Sequence, residues 1–303
     1  MDTGKPTPVC DYEGSDYQDT FWDRGGRAYE DRTEAIALKR MLPVGGRLLL
    51  EVGAGAGRNT PRYVGFERVV LLDYSLTQLE KARSRLGTEG RYIYVAADVY
   101  RLPFIDGLFD CATMIRTLHH MVDAPGALQQ VRNVLQPGGT FVLEFANKLN
   151  LKAILRYALG RQEWNPFTLD PVEFVKLNFD FHPAAVRRWL DELGFKVQKT
   201  LTVSHFRLGL LKKSVPLRLL VALDALFQWT GALWQLTPSV FMQASVESGP
   251  IAPIPEAPIE WFKCPSCSGS PLEAGADHLH CPGCRRDWPV REGIYDFREA
   301  LPA

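Results

Sequence analysis

The sequence has no excess of charge of either sign: 35 lysines and arginines stand against 35 aspartates and glutamates in 303 residues. A global field that would draw the chain to nucleic acid or to an anionic surface is therefore excluded. No stretch reaches 18 uninterrupted apolar residues, so no membrane-spanning helix is expected. The opening MDTGKPTPVCDYEGSDYQD lacks the basic start and apolar core of a secretory signal, and the expected location is the cytoplasm. Cysteine is scarce outside one cluster. Of six, Cys10 and Cys111 stand alone and four form two C-x-x-C pairs, a pattern that fits a reducing compartment and a metal better than a disulfide framework. There is no Gly-Lys-Ser/Thr phosphate loop and no internal repeat.

What the sequence does have is alternation. Apolar runs RLLLEV (47–52), RVVLLD (68–73), RYIYVAAD (91–98), FDCATMI (109–115) and TFVLEFA (140–146) read as buried strands. Helical spacing falls at 28–42, 75–86, with Ser75 as N-cap, and 123–135. Strands apolar on both faces that alternate with helices predict a doubly wound α/β fold with a parallel sheet. Between 147 and 180 the pattern breaks into a helix-like stretch and a proline-containing loop. A helix and a strand return at 182–203, with His182 at the helix entry. An apolar helical segment (214–234) and a final strand, SVFMQASV (239–246), follow. The organisation expected is a catalytic domain at 1–246, a proline-rich linker at 247–260 and a small module at 261–303.

The first strand runs into EVGAGAGRN, with Gly53, Gly55 and Gly57 at alternate positions. A doubly wound sheet binds its ligand just there. The spacing does not suit a dinucleotide, because Arg58 occupies the place of the third fingerprint glycine. Glu51, at the strand's end, would repel a pyrophosphate and suits a ligand that carries positive charge. Asp73 ends the second strand, where an acid accepts hydrogen bonds from ribose hydroxyls. Asp98 ends the third, where it can accept from an adenine amine. A cationic amino acid joined to adenosine is S-adenosylmethionine.

The segments EVGAGAG, LLDYS, AADVYRLPF, FDCATMIRTLHHM and LQPGGTFVLEF, in this order and spacing, resemble class I SAM-dependent methyltransferases. The ubiquinone/menaquinone-biosynthesis-like subgroup is the nearest in flavour. The resemblance implies a Rossmann-like seven-stranded sheet whose last strand, SVFMQASV, is antiparallel. It also implies a cofactor site at Glu51, Gly53, Ala54, Gly55, Asp73, Tyr74, Asp98, Val99, Ile115 and Arg116. His119 and His120 follow the fourth strand, next to the expected methyl position. One of them serves as a base, or both cap the following helix and satisfy backbone groups. Residues 16–30 are expected to fold over the cofactor, with Tyr29 and Trp22 able to line the site.

Cys264, Cys267, Cys281 and Cys284 have the spacing of a closed tetrahedral zinc site. The segment from 261 to 298 resembles the small zinc-ribbon family that activates tRNA, rRNA and protein methyltransferases, here fused in cis. From Trp261 onward there are five basic and six acidic residues. A module that grips phosphate would be clearly basic, so the ribbon is expected to dock or brace. Apolar residues concentrate in 150–161 and 205–236, with lysines and arginines beside them. A helical cap, a substrate lid and a peripheral membrane contact are the readings open. The leading reading is methyl transfer to a small, rather apolar acceptor. The alternatives are an RNA or protein methyltransferase with a built-in activator, and a SAM-binding partner protein without turnover. Asn-Pro-Pro-Tyr is absent after the fourth strand, which lowers the standing of planar-amine acceptors.

Overall fold

The computed structural model describes residues 8, 13–14 and 26–302. In chain order, α1 (Ala28–Met41) leads into β1 (Gly46–Val52) and β2 (Phe66–Asp73). Then come α2 (Leu76–Leu86), β3 (Tyr92–Ala96), β4 (Phe109–Met114), α3 (Ala124–Val134) and β5 (Leu135–Ala146). The middle of the chain gives α4 (Leu151–Ala158), a hairpin of β6 (Val172–Val175) and β7 (Asn178–Asp180), α5 (Pro183–Glu192) and β8 (Phe195–Val203). After α6 (Gly209–Ser214) and α7 (Leu217–Phe227) comes β9 (Ser239–Val246). Four short strands close the chain: β10 (Glu273–Ala274), β11 (His278–His280), β12 (Asp287–Arg291) and β13 (Ile294–Asp296).

Strands β3-β2-β1-β4-β5 are parallel neighbours. β9 lies antiparallel between β5 and β8, as expected for the last strand. Alternation along each strand feeds two layers. Leu48, Leu50 and Val52 pack with Leu128 and Val131 of α3 and Val186 and Leu190 of α5. Leu49, Val69 and Leu71 pack with Leu79 and Ala82 of α2 on the other face, where α1 also lies through Ala37, Leu38 and Met41. Burial on both faces is why these strands read as continuous apolar runs.

Three features differ from expectation. The segment 163–180 is not all loop, since it carries the β6–β7 hairpin. The apolar stretch 214–234 is not one helix. Pro216 stands at the N-cap of α7, and its ring restricts Val215 to extended backbone, which ends α6. The ribbon does not stand apart either. β13 pairs in parallel with β3, Tyr295 opposite Val95, so the ribbon strands prolong the seven-stranded sheet to eleven. Trp261, Phe262, Trp288 and Phe297 belong to the same core as Phe104 and Phe109. The Phe104 and Phe262 ring centroids are 5.8 Å apart.

Candidate active site

A cavity opens at the carboxyl ends of β1, β2 and β4, where the parallel strands stop and their loops diverge. Its lining includes Glu51, Gly53, Ala54, Gly55, Asp73, Tyr74, Val99, Ile115 and Arg116. Gly53 and Gly55 have φ of 70° and 53°, the left-handed region that side chains avoid. A Cβ on Gly53 would run into Thr117, whereas one on Gly55 would meet nothing within 4 Å. The loop is pressed down at Gly53 and leaves bare backbone facing the cavity at Gly55. Gly53 N and Ala54 N both donate to Leu72 O, at 2.8 and 3.0 Å, which ties the loop to the end of β2. Asp73 accepts from Gly55 N at 2.8 Å and from Ser75 N at 3.0 Å. A carboxylate offers about four acceptor sites, a chemistry suited to a ligand's hydroxyls.

Glu51 is buried at the base, where its carboxyl accepts from Thr60 Oγ1 at 2.6 Å and Tyr63 OH at 3.1 Å. Burial pushes its pKa up to about 7, against the opposing pull of those two hydroxyls. A bound cation would favour the ionised form, so this group suits a ligand with an ammonium or sulfonium charge.

Beside the cavity runs a charge network that sequence reasoning missed. Glu34 of α1 is fully buried between two arginines. Arg58 Nη2 donates to it at 2.9 Å and Arg116 Nε at 2.6 Å. Arg58 and Arg62 also reach Asp31, Arg58 at 2.5 Å. Burial alone would raise Glu34, but the two guanidiniums outweigh it and hold the carboxyl below its ordinary range. Arg116 adopts φ 57°, and its backbone N–H donates to the buried Glu144 at 2.8 Å. The signal available was helical spacing: Glu30 and Glu34 lie four apart on the face of α1 that also carries Ala37, Leu38 and Met41.

Four residues read from the sequence have the following places, His182 the one expected. Asp98 is not part of the cavity lining, because its carboxylate turns back to accept from Tyr100 N at 3.0 Å and caps the short helical turn Val99–Arg101. Tyr29 is buried away from the cavity, donating to Asp224 of α7 at 2.6 Å and accepting from Phe206 N at 2.9 Å. Trp22 lies outside the described residues. His182 caps α5, its Nδ1 accepting from Ala184 N at 3.1 Å.

His119 and His120 occupy the turn after β4 with ring centroids 3.9 Å apart. His120 lines the cavity, and its Nδ1 lies 3.2 Å from Leu177 O. Burial lowers the pKa of His119 well below its ordinary value, helped by His120 and Arg116. Burial also lowers His120, partly offset by the Leu177 carbonyl. In both, burial favours the neutral imidazole. β7 packs against this turn, and Asp180 at its end lines a separate cavity with Lys152 and Arg156, its pKa raised by burial to about 6. Arg207, after β8, acts electrostatically on both Asp180 and Arg116. Neither Asp180 nor Arg207 had a local sequence signal.

In the ribbon the four cysteine sulfurs lie within 4.8 Å of one another. Cys264 and Cys284 Sγ are 3.6 Å apart, and Cys267 and Cys281 are 3.5 Å apart. Zinc–sulfur bonds of about 2.3 Å in a tetrahedron put sulfurs roughly 3.8 Å apart, so the donor set fits a closed zinc site. Beyond the cysteines, Arg298 donates to Tyr74 O at 3.2 Å. The ribbon thus touches the loop that follows Asp73.

Residues 50–143 match the family described as "Methyltransferase domain". Among curated proteins, the chain is 38% identical over 109 residues to an O-methyltransferase of Penicillium expansum, covering 34% of this chain and 40% of that protein. It is 36% identical over 126 residues to a ubiquinone/menaquinone biosynthesis C-methyltransferase of Pseudomonas savastanoi pv. phaseolicola, covering 38% and 49%. The chain thus spans about half, or less, of the length of the curated relatives it matches. A solved complex between the Haloferax volcanii Trm112 methyltransferase activator and its candidate methyltransferase partner aligns with TM-score 0.53 at 18% identity, over 77% of this chain and 98% of that one. At that identity the likeness speaks for the fold, which is the class I SAM-dependent methyltransferase fold.

Proposed function

We propose that this chain, with a methyltransferase domain set in a class I fold, transfers a methyl group from S-adenosylmethionine to a small, rather apolar acceptor of quinone, lipid or natural-product type. The observation that carries the reading is the cavity itself: bare backbone at Gly53–Gly55, a buried acid at its base and a second acid at the end of β2. Bound S-adenosylmethionine supplies a methyl group already activated for in-line displacement, so positioning can provide most of the rate. Asp73 receives the ribose hydroxyls. Ala97, Val99 and Met121 line the adenine side, with Asp98 fixing the turn that presents Val99. Glu51 faces the cationic amino-acid end, and Ile115 and Arg116 flank it. Where the acceptor must lose a proton, His120 and His119 are the nearest neutral bases. The quinone- and O-methyl-directed relatives support a small-molecule acceptor.

A second reading has one observation in its favour. The ribbon is joined to the sheet along β3 and reaches Tyr74, which suits an activator built into the chain, and the acceptor would then be RNA or protein. The ribbon's balance of five basic and six acidic residues speaks against a phosphate grip. In either reading the four cysteines hold one zinc ion, and metal analysis of protein purified without chelator should find about one per chain.

Methyl-labelled S-adenosylmethionine, incubated with the protein and a lysate of the source cells, tests the acceptor class. Label in the organic extract supports the proposal. Label in RNA or protein promotes the second reading. No label in any fraction, with S-adenosylmethionine still bound, indicates a partner protein without turnover.

A further inference from the structure

Two insertions leave the sheet at the same end as the cofactor cavity. β5 and β8 are each antiparallel to β9 and therefore parallel to one another. The segment after β5 (147–182) and the segment after β8 (204–238) accordingly both rise from the carboxyl-terminal edge. They meet there: Leu151 N donates to Leu236 O at 2.8 Å, and Asn147 Nδ2 donates to Gln235 O at 2.8 Å.

The helices of these insertions turn apolar residues outward. On α4, Leu151, Leu155 and Leu159 recur at four-residue spacing and are 52%, 53% and 65% exposed. On α7, Leu219, Leu223, Leu226 and Phe227 share the outward face, while Leu220 and Asp224 face inward. Leu233 and Trp234 continue the exposed surface toward α4, while the half-exposed Trp229 ring lies against Arg40 and Lys199. A helix at a water boundary places its polar side there, and an apolar patch this extensive marks a contact surface.

The charges on this surface are of one sign. Lys152, Arg156, Arg161, Lys213 and Arg218 are all exposed, and among the described residues none of them joins an ion pair. In 150–162 and 205–236 the sole acidic residue is Asp224, which is fully buried. The acids of the first insertion lie on the hairpin segment, at Glu163, Asp170, Glu173 and Asp180. Leucines and tryptophans among unpaired cations form the composition of a surface that lies in a lipid interface. A second copy of the chain fits poorly, because a two-fold contact would set the same cations against each other.

We propose that the outer faces of α4 and α7, with the turn Gln228–Ala232 and Trp234 between them, rest on an anionic phospholipid bilayer. The leucines and tryptophans enter the boundary between headgroups and acyl chains, and the five cations lie against lipid phosphates. Among the described residues no helix is long and apolar enough to cross a membrane, so the contact is peripheral. The proposal does not rest on methyl transfer or on the acceptor, and it is read without either.

The test is flotation of the full chain with vesicles of phosphatidylcholine alone or with roughly 30% phosphatidylserine, at low and at high salt. The expected result is co-flotation with anionic vesicles, at least tenfold weaker on neutral vesicles or in high salt. Two variants localise the surface. L219D/L226D and K152E/R156E/R218E should each lose flotation while keeping the wild-type circular dichroism spectrum and S-adenosylmethionine affinity. Wild-type protein that stays at the bottom of the gradient with anionic vesicles overturns the proposal. So does flotation that survives both folded variants. A wild-type dimer that L219D/L226D dissociates, without vesicle binding, gives the surface to a second copy instead.

Discussion

Helices α1 and α7 pack on one another, yet they depart from the usual helix pattern in opposite directions. The inner face of α1 buries Glu30, Thr33 and Glu34, each at most 1% exposed. The outer face of α7 displays Leu219, Leu223, Leu226 and Phe227. An ordinary surface helix hides apolar residues and shows polar ones. Glu34 is tolerable because Arg58 of the glycine loop and Arg116 of the turn after β4 meet it, and Glu30 because Arg207 and Lys212 do. Leu219 and Leu226 of α7 stay half or more exposed. The inversion of α1 is thus met inside the chain, and that of α7 is the surface proposed above to meet lipid.

The comparison can be broken most forcefully at Glu34. Removing one member of a buried ion network leaves uncompensated charge, which costs about 3–5 kcal/mol. Glu34→Ala should lower stability in urea by that order and weaken S-adenosylmethionine binding as well, because Arg58 and Arg116 line the cavity. A loss below about 1 kcal/mol would mean that water replaces the carboxylate. Next in size is Asp73→Ala. One charge-assisted hydrogen bond contributes about 1.5–3 kcal/mol, so losing even one of the proposed bonds to ribose should lower affinity, measured by calorimetry, by roughly 10- to 100-fold or more. Unchanged affinity would remove Asp73 from the site.

A smaller, pH-dependent effect belongs to Glu51, whose pKa burial raises to about 7. A cationic ligand prefers the carboxylate, so affinity should fall as pH drops below 7, by at most about tenfold per pH unit, and level off above it. The ligand-free protein behaves in the opposite sense. A raised folded pKa favours the neutral acid, so stability declines as pH rises from the ordinary carboxylate range toward 7. Glu51→Gln should flatten both profiles, and a wild-type binding profile already flat across this range would place the ligand's charge elsewhere. The smallest effect sharpens the other half of the comparison. Leu226 is 68% exposed, and Leu226→Gln should change stability by no more than about 0.5 kcal/mol. A larger loss in a thermal melt would mean that this leucine packs against protein after all.

The same contrast explains what could be read in advance. The strand–loop–helix order from β1 to β5 was legible because each signal is local: an apolar run, the alternating glycines, and caps at Ser75 and Asp123. The cysteine spacing was equally local. Asp98 was read from its strand position as a ligand contact, and what the fold adds is its hydrogen bond from Tyr100 N, two residues on. Tyr29 was misread because its partner, Asp224, is 195 residues away. Glu34 was within reach through helical periodicity. Asp180 and Arg207 were not, since only the tertiary fold brings β7 against the turn of the histidines and Arg207 within electrostatic reach of Asp180 and Arg116.

The parallel pairing of β13 with β3 has a consequence for biosynthesis. β3 leaves the ribosome first, and β13 follows roughly 200 residues later. At roughly 5–20 residues per second the interval lasts some tens of seconds or less. Throughout it the nascent sheet carries an open row of amide and carbonyl groups on β3, a template on which stray strands from other polypeptides can grow. β13 thus also seals the sheet against aggregation, and the edge of β3 stays open until β13 has emerged and paired with it.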